Sequence, residues 1–225
     1  MLRKTYDEEL QQLFNKLIEM GSLVEDQIKN SLIALEGRDL DLASGTIYKD
    51  RLVNQMEREI EKDCLNLILT QQPVATDLRN ISACLKIVTD LERIGDHAQD
   101  ISEISISLGE NKLTNELDEL HKFFDIIKVM LKDAIDSFVA SDVELAKNAK
   151  KMDDTIDKLY ADFRKKAINS ASKDPASAEE WIDLLQVAKY LERVGDHAEN
   201  ICEWVIFSVT GDYVESLKNP KRMRS

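Results

Sequence analysis

Apolar residues at three- and four-residue spacing run from Tyr6 to Leu35 and stop at Gly37-Arg38-Asp39. They resume to Leu69, stop at Gln71-Gln72-Pro73, and resume again to Leu108, where Gly109 follows. That period is the signature of a helix with one buried stripe, so each run predicts a helix of roughly thirty residues. A second series follows the same plan. Leu113 to Val139 predicts a fourth helix, and Ser141-Asp142-Val143-Glu144 reads as a capping box opening a fifth. Asp174-Pro175 with the box Ser177-Ala178-Glu179-Glu180 opens a sixth. Short turns make successive helices antiparallel neighbours, so the expected fold is all-α, built from two up-down-up three-helix bundles.

The two series are copies of one another. Asp39, Leu42 and Ala43 match Asp142, Leu145 and Ala146 at an offset of 103, and Pro73 matches Pro175 at 102. DLERIGDHAQDI at 90–101 returns as YLERVGDHAENI at 190–201. Helix periodicity constrains residue class and leaves identity free, so charged residues kept this faithfully specify something chemical. The chain reads as a tandem duplication, with a first bundle over 1–109, a second over 110–212 and a short tail over 213–225.

Composition narrows the class. With 43% hydrophobic and 32% charged residues the chain is globular, and seven Gly and three Pro leave material for few turns and long elements. A net charge of −13 repels nucleic acid and anionic lipid and excludes both as main partners, although the tail KNPKRMR is basic. No apolar run reaches about 18 residues, and MLRKTYDEEL lacks the apolar segment of a signal peptide, so a cytoplasmic protein with no membrane insertion is expected. Cys64, Cys84 and Cys202 have no C-x-x-C spacing and read as packed, reduced thiols.

The repeated motif places Glu92, Asp96 and Asp100 at i, i+4 and i+8, one row on one helix face; Glu192, Asp196 and Asn200 repeat it. Counting back from each hairpin turn at about 1.5 Å per residue sets Asp50 and Asn54 level with the first row, and Asp153 and Asp157 level with the second. Two readings stand. The rows are solvated acidic faces, or they are cation sites with oxygen ligands suited to magnesium, calcium, manganese, iron or zinc. Gly95 and Gly195, each inside a helix, fit close approach of a neighbouring helix beside the site. Arg93 and Arg193 are candidate anion-binding residues, with pairing of Arg93 to Asp90 or Asp96 as the plainer role. His97 and His197 fit interhelical hydrogen bonds better than metal ligation, and His121 is read as structural.

QQPVATDLR ahead of LERIGDHAQDI, YLERVGDHAENICE in the second half, and D-x-x-x-(N/D) in each preceding helix resemble the PhoU family of phosphate-signalling proteins. The resemblance covers about Tyr6 to Gly211. It implies two pseudo-twofold-related three-helix bundles, usually a homodimer, with multinuclear metal clusters on the acidic motifs. It also implies a non-enzymatic cytoplasmic adaptor between the ATPase subunit of the phosphate ABC transporter and the phosphate-sensing histidine kinase, a negative regulator of phosphate-regulon signalling. Asp50, Glu92, Asp96, Asp153, Asp157, Glu192 and Asp196 carry over as ligands, with Asn54 and Asn200 departing from a full carboxylate set. Two rival classes are a ferritin-like carboxylate metalloenzyme, which would need E-x-x-H pairs the chain lacks, and a histidine phosphotransfer bundle, which would need a histidine free of acidic neighbours.

Overall fold

The computed structural model describes residues 2–109 and 117–213, and within them every regular element is a helix. α1 (Leu2–Gly37), α2 (Leu40–Gln71) and α3 (Ala75–Leu108) form the first bundle. α4 (Leu117–Ala140), α5 (Val143–Lys150), α6 (Asp153–Lys173) and α7 (Ala178–Thr210) form the second, with a single 3-10 turn at Pro175–Ser177 ahead of α7. The start of the predicted fourth helix at Leu113 and the basic tail lie outside the described residues. None of the described helices is long and apolar enough to cross a membrane.

Each long helix buries the stripe that its spacing predicts. Leu13, Leu17, Met20, Val24 and Ile28 of α1 meet Val53, Ile60 and Cys64 of α2 and Ile87, Leu91, Ile94 and Ala98 of α3 in one core. Leu120, Phe123, Ile127 and Leu131 of α4, Ile156 and Phe163 of α6, and Leu184, Leu191 and Val194 of α7 continue that same core into the second bundle. The seam between the bundles is α3 against α7, running antiparallel: Arg79 at the start of α3 donates to the Ser208 carbonyl near the end of α7, and Asp90 meets His197. All three cysteines are buried free thiols, and burial pushes the Cys202 thiol up to about 12, where it is neutral and unreactive.

Two expectations need correction. The predicted fifth helix is two helices, α5 and α6, interrupted at Lys151-Met152 without any glycine or proline. The Met152 N–H bonds the Ala149 carbonyl at 2.9 Å and the Thr155 N–H bonds the Met152 carbonyl at 2.9 Å, three-residue closures that tighten one turn while the chain continues forward. The equivalent stretch of α2 is continuous. The caps also differ. Ser141 lies at φ 54°, and Asp142 is the cap of α5, accepting from the N–H groups of Glu144 and Leu145 at 3.0 Å. The chain leaving α4 needs one left-handed residue, as Arg38 (φ 54°) provides after α1, and a residue in that conformation cannot also be the extended cap. Ser177 likewise makes no cap bond; its hydroxyl turns back to the Asp174 carbonyl, and the Asp174 carboxylate accepts from the Ala176 N–H.

Candidate metal centres

α2 packs closely onto α3, and α6 onto α7, over a glycine of the motif helix. A Cβ built on Gly95 would lie 3.1 Å from Val53 Cγ1 and 3.2 Å from Asp50 Oδ1; one on Gly195 would lie 2.8 Å from Ile156 Cδ1 and 3.0 Å from Asp153 Oδ1. Each missing side chain therefore admits an aspartate of the facing helix to the backbone of the motif helix. Asp50 and Asp153 are buried to the same degree, 6% exposed, which is uncommon for a carboxylate.

Around Asp50 the first centre is crowded with like charge. Burial raises the Asp50 carboxyl above its ordinary range, and the neighbouring Asp96 raises it further; a 2.5 Å hydrogen bond from Asn54 Nδ2 opposes this. Glu92 is raised by burial and then by Asp96, with Glu57 and Asp50 adding to it. Arg93 offsets part of the charge, donating to Asp96 at 2.7 Å and lying 3.5 Å from Glu92. Asp90 is engaged elsewhere, so Arg93 serves the carboxylate row itself.

The second centre is tighter. Asp153, Asp196 and Glu199 place one carboxylate oxygen each within 4.8 Å of one another, and they form the group of three metal-competent side chains found among the described residues. Glu192 is held by Lys189 at 2.5 Å, and Lys150 reaches Glu203 at 2.5 Å and Glu199 at 3.6 Å. Asp157, repeat-partner of Asn54, is half-buried one turn beyond Asp153 on α6. Arg193 is exposed on α7, and its charge is felt by His97.

The ends of the two rows diverge from the centres. Asp100 lies 3.3 Å from His97 Nδ1, and Asn200 donates to Asp90 at 3.2 Å, where His197 Nδ1 also meets Asp90 at 2.8 Å. His97 stacks on Tyr190 and faces His197 with ring centroids 5.6 Å apart. Burial lowers the His97 pKa, and repulsion from His197 and Arg193 lowers it further against the pull of Asp100. These residues make the seam between the halves. His121 pairs with Glu36 at 3.2 Å across α1 and α4, a structural contact.

Three residues at the centres escape a reading based on the repeat. Glu57 enters the first, Glu199 the second, and the buried Gln27 of α1 lies beside the first. The repeat-partners of Glu199 and Gln27 are Gln99 and Met130, so a search for shared acids passes over both. The i, i+3 spacing of Asp196 and Glu199, one helical face, is the signal that finds Glu199.

The raised Asp50 carboxyl gives a pH test with a definite sign. Its folded pKa exceeds the unfolded one, so above the folded value the charge costs stability, and the cost disappears as pH falls towards the ordinary carboxylate range. In chelator-treated protein, Asp50→Asn is therefore expected to raise the melting temperature near pH 7 by a few degrees, at about 2–4 °C per kcal/mol for a chain of this size. Below the ordinary aspartate value of 3.8, near pH 3, the difference should vanish. Thermal melts of both proteins across that range check it, and an equal effect at the two pH values would contradict the assignment.

The family model described as "PhoU domain" matches this chain twice, over residues 17–105 and 120–205. The phosphate-specific transport system accessory protein PhoU homolog of Clostridium acetobutylicum is 39% identical over 216 residues, covering 96% of this chain and 99% of that protein. The crystal structure of PhoU from Pseudomonas aeruginosa superposes with a TM-score of 0.87 at 34% identity, covering 92% of this chain and 100% of that one. The crystal structure of the phosphate transport system regulatory protein PhoU from Streptococcus pneumoniae gives a TM-score of 0.86 at 31% identity, over 93% and 99%. A duplicated helical bundle, a carboxylate set written once in each half, and matches of this length on both counts lead to one assignment: the chain belongs to the PhoU family.

Proposed function

We propose that the protein is a cytoplasmic, metal-binding adaptor of a phosphate transport system. In this reading it couples the transporter's ATPase subunit to the phosphate-sensing histidine kinase and keeps the kinase silent when phosphate is plentiful. The relatives are named as accessory or regulatory proteins of phosphate transport, and the chain covers nearly their full length. The observation that carries the metal part is the matched pair of buried aspartates, Asp50 and Asp153, each set against a motif glycine and a motif aspartate.

The residues present fit hard or borderline cations. Asp50 Oδ1 is buried with no hydrogen-bond partner, and the three side chains grouped at the second centre, Asp153, Asp196 and Glu199, all offer carboxylate oxygens. Asp50, Glu92 and Asp96 would hold ions in the first half, and Asp153, Asp157, Glu192, Asp196 and Glu199 in the second. A bound cation supplies the positive charge that turns repulsion within each row into a cross-link between α2 and α3, or between α6 and α7. Its charge beside Arg93 and Arg193 also makes each centre attractive to an anion such as phosphate. His97, at 9% exposure and beside Asp100, is a poor phosphoryl acceptor, which favours the adaptor over a phosphotransfer role.

The test is a reconstitution. The metal-loaded chain, immobilised, is expected to retain the purified transporter ATPase subunit and the sensor kinase of its own organism. Deleting its gene should switch on a phosphate-regulon reporter in phosphate-rich medium. With a net charge of −13, association should weaken as salt rises. Retention of neither partner, with an unchanged reporter, would remove the adaptor reading.

A further inference from the structure

The duplication is broken at two neighbouring buried positions beside the first centre. Gln27 of α1 is 1% exposed, and neither its Oε1 nor its Nε2 has a hydrogen-bond partner. At the repeat-related place the second half has Met130, fully buried. Leaving a buried amide unsatisfied costs stability that an unbranched apolar side chain of the same length does not. Packing alone would favour methionine at both places. The second break is Val53, where the second half has Ile156.

These two changes act on one spot. Gln27 Oε1 and Asp50 Oδ1 each lie 3.2 Å from the point where a Cβ on Gly95 would stand, with Val53 Cγ1 at 3.1 Å. Asp50 Oδ1 is also buried without a hydrogen-bond partner. Two such oxygens, one from α1 and one from α2, thus address a single point over the one glycine of α3. Around Gly195 the aspartate oxygen is kept, Asp153 Oδ1 at 3.0 Å, but the place of the amide oxygen is taken by carbon, with Ile156 Cδ1 at 2.8 Å and Cγ2 at 3.2 Å, and the carboxylate group is completed by Glu199 of α7.

We propose that Gln27 is an oxygen ligand, with Asp50, to a cation held over Gly95, so that the first centre draws ligands from three helices and the second from two. The inference rests on the metal-centre reading above and makes the two centres chemically unequal. An uncharged amide oxygen beside carboxylates suits hard ions such as Mn²⁺ or Mg²⁺ over zinc.

Titration of Mn²⁺ into the full chain tests it, by calorimetry and by the electron paramagnetic resonance of the bound ion. The background carries Asp153→Asn and Asp196→Asn, which leaves the first centre to report. Gln27→Met, copying the second half, is expected to fold with a melting temperature in chelator at least equal to its parent's and to bind Mn²⁺ at least tenfold more weakly. Gln27→Glu, which keeps an oxygen at the same reach, is expected to bind Mn²⁺ at least as tightly as the parent. Mn²⁺ affinity and resonance unchanged by Gln27→Met would overturn the proposal and mark Gln27 as an amide satisfied by water, with the metal centre itself intact. Loss of Mn²⁺ binding in a folded Gln27→Glu protein would also overturn it. No binding in the parent of these variants or in the unmodified chain would overturn both the proposal and the reading on which it rests.

Discussion

Adding Mn²⁺ at about a hundred times its dissociation constant to chelator-stripped protein is expected to raise the melting temperature by about 5–10 °C for each centre that fills. A ligand that binds only the folded state stabilises it by about 2.7 kcal/mol at that excess. A chain of this size converts each kcal/mol to about 2–4 °C. Without a cation the buried carboxylates work against folding: Asp50 and Glu92 are both raised, chiefly by burial and then by Asp96. Glu92→Gln with Asp96→Asn should remove the share belonging to the first half, and Asp153→Asn with Asp196→Asn the share belonging to the second. The first of these double variants should be at least as stable as the parent in chelator, because the Asp96 charge it deletes holds both Asp50 and Glu92 up. A melting temperature indifferent to Mg²⁺, Mn²⁺, Fe²⁺ and Zn²⁺ would return the rows to the alternative reading, solvated acidic faces.

Gly195→Val should be the most damaging single change at either centre, destabilising by about 3 kcal/mol or more. Its first carbon alone would stand 2.8 Å from Ile156 Cδ1 and 3.0 Å from Asp153 Oδ1, and valine adds two methyls beyond it. Asp153 must move, so cation binding in the second half should fail together with stability. Gly95→Ala is the contrasting case. Its Cβ contacts are 3.1–3.2 Å, its neighbours must give only by tenths of an ångström, and the helix gains about 1 kcal/mol in propensity. Its stability should stay close to that of the parent. Urea unfolding of the two variants measures the contrast, and a Gly195→Val protein as stable as the parent would show that α6 is not held against α7 at this point.

Much of the architecture was legible because long helices announce themselves through buried stripes, and a duplication announces itself through repeated charges. Leu91, Ile94, Ala98 and Ile101 are fully buried in α3, the stripe that the spacing gives. Asp50 against Gly95 was reachable by counting residues from the hairpin turn, since helical rise is nearly constant. The break between α5 and α6 was not, because it rests on two tightened hydrogen bonds at Lys151-Met152 and on no residue that forbids a helix. Ser141 was misread as a cap because Ser and Asp both cap well, and only the left-handed turn after α4 decides between them. Gln27, Glu199 and the Asp90–His197 contact depend on where one half departs from the other, or on how the halves meet. A search for what the copies share removes the first kind from view, and local sequence carries no trace of the second.

The Asp90–His197 contact at the seam ties α3 to α7 beside both carboxylate rows. Asp90 precedes Glu92 by two residues, His197 follows Asp196 by one, and the 2.8 Å bond between them joins the rods that carry both carboxylate rows. Thermodynamic reciprocity then fixes the exchange: by whatever factor filling one row changes the affinity of the other, filling the second changes the first by the same factor.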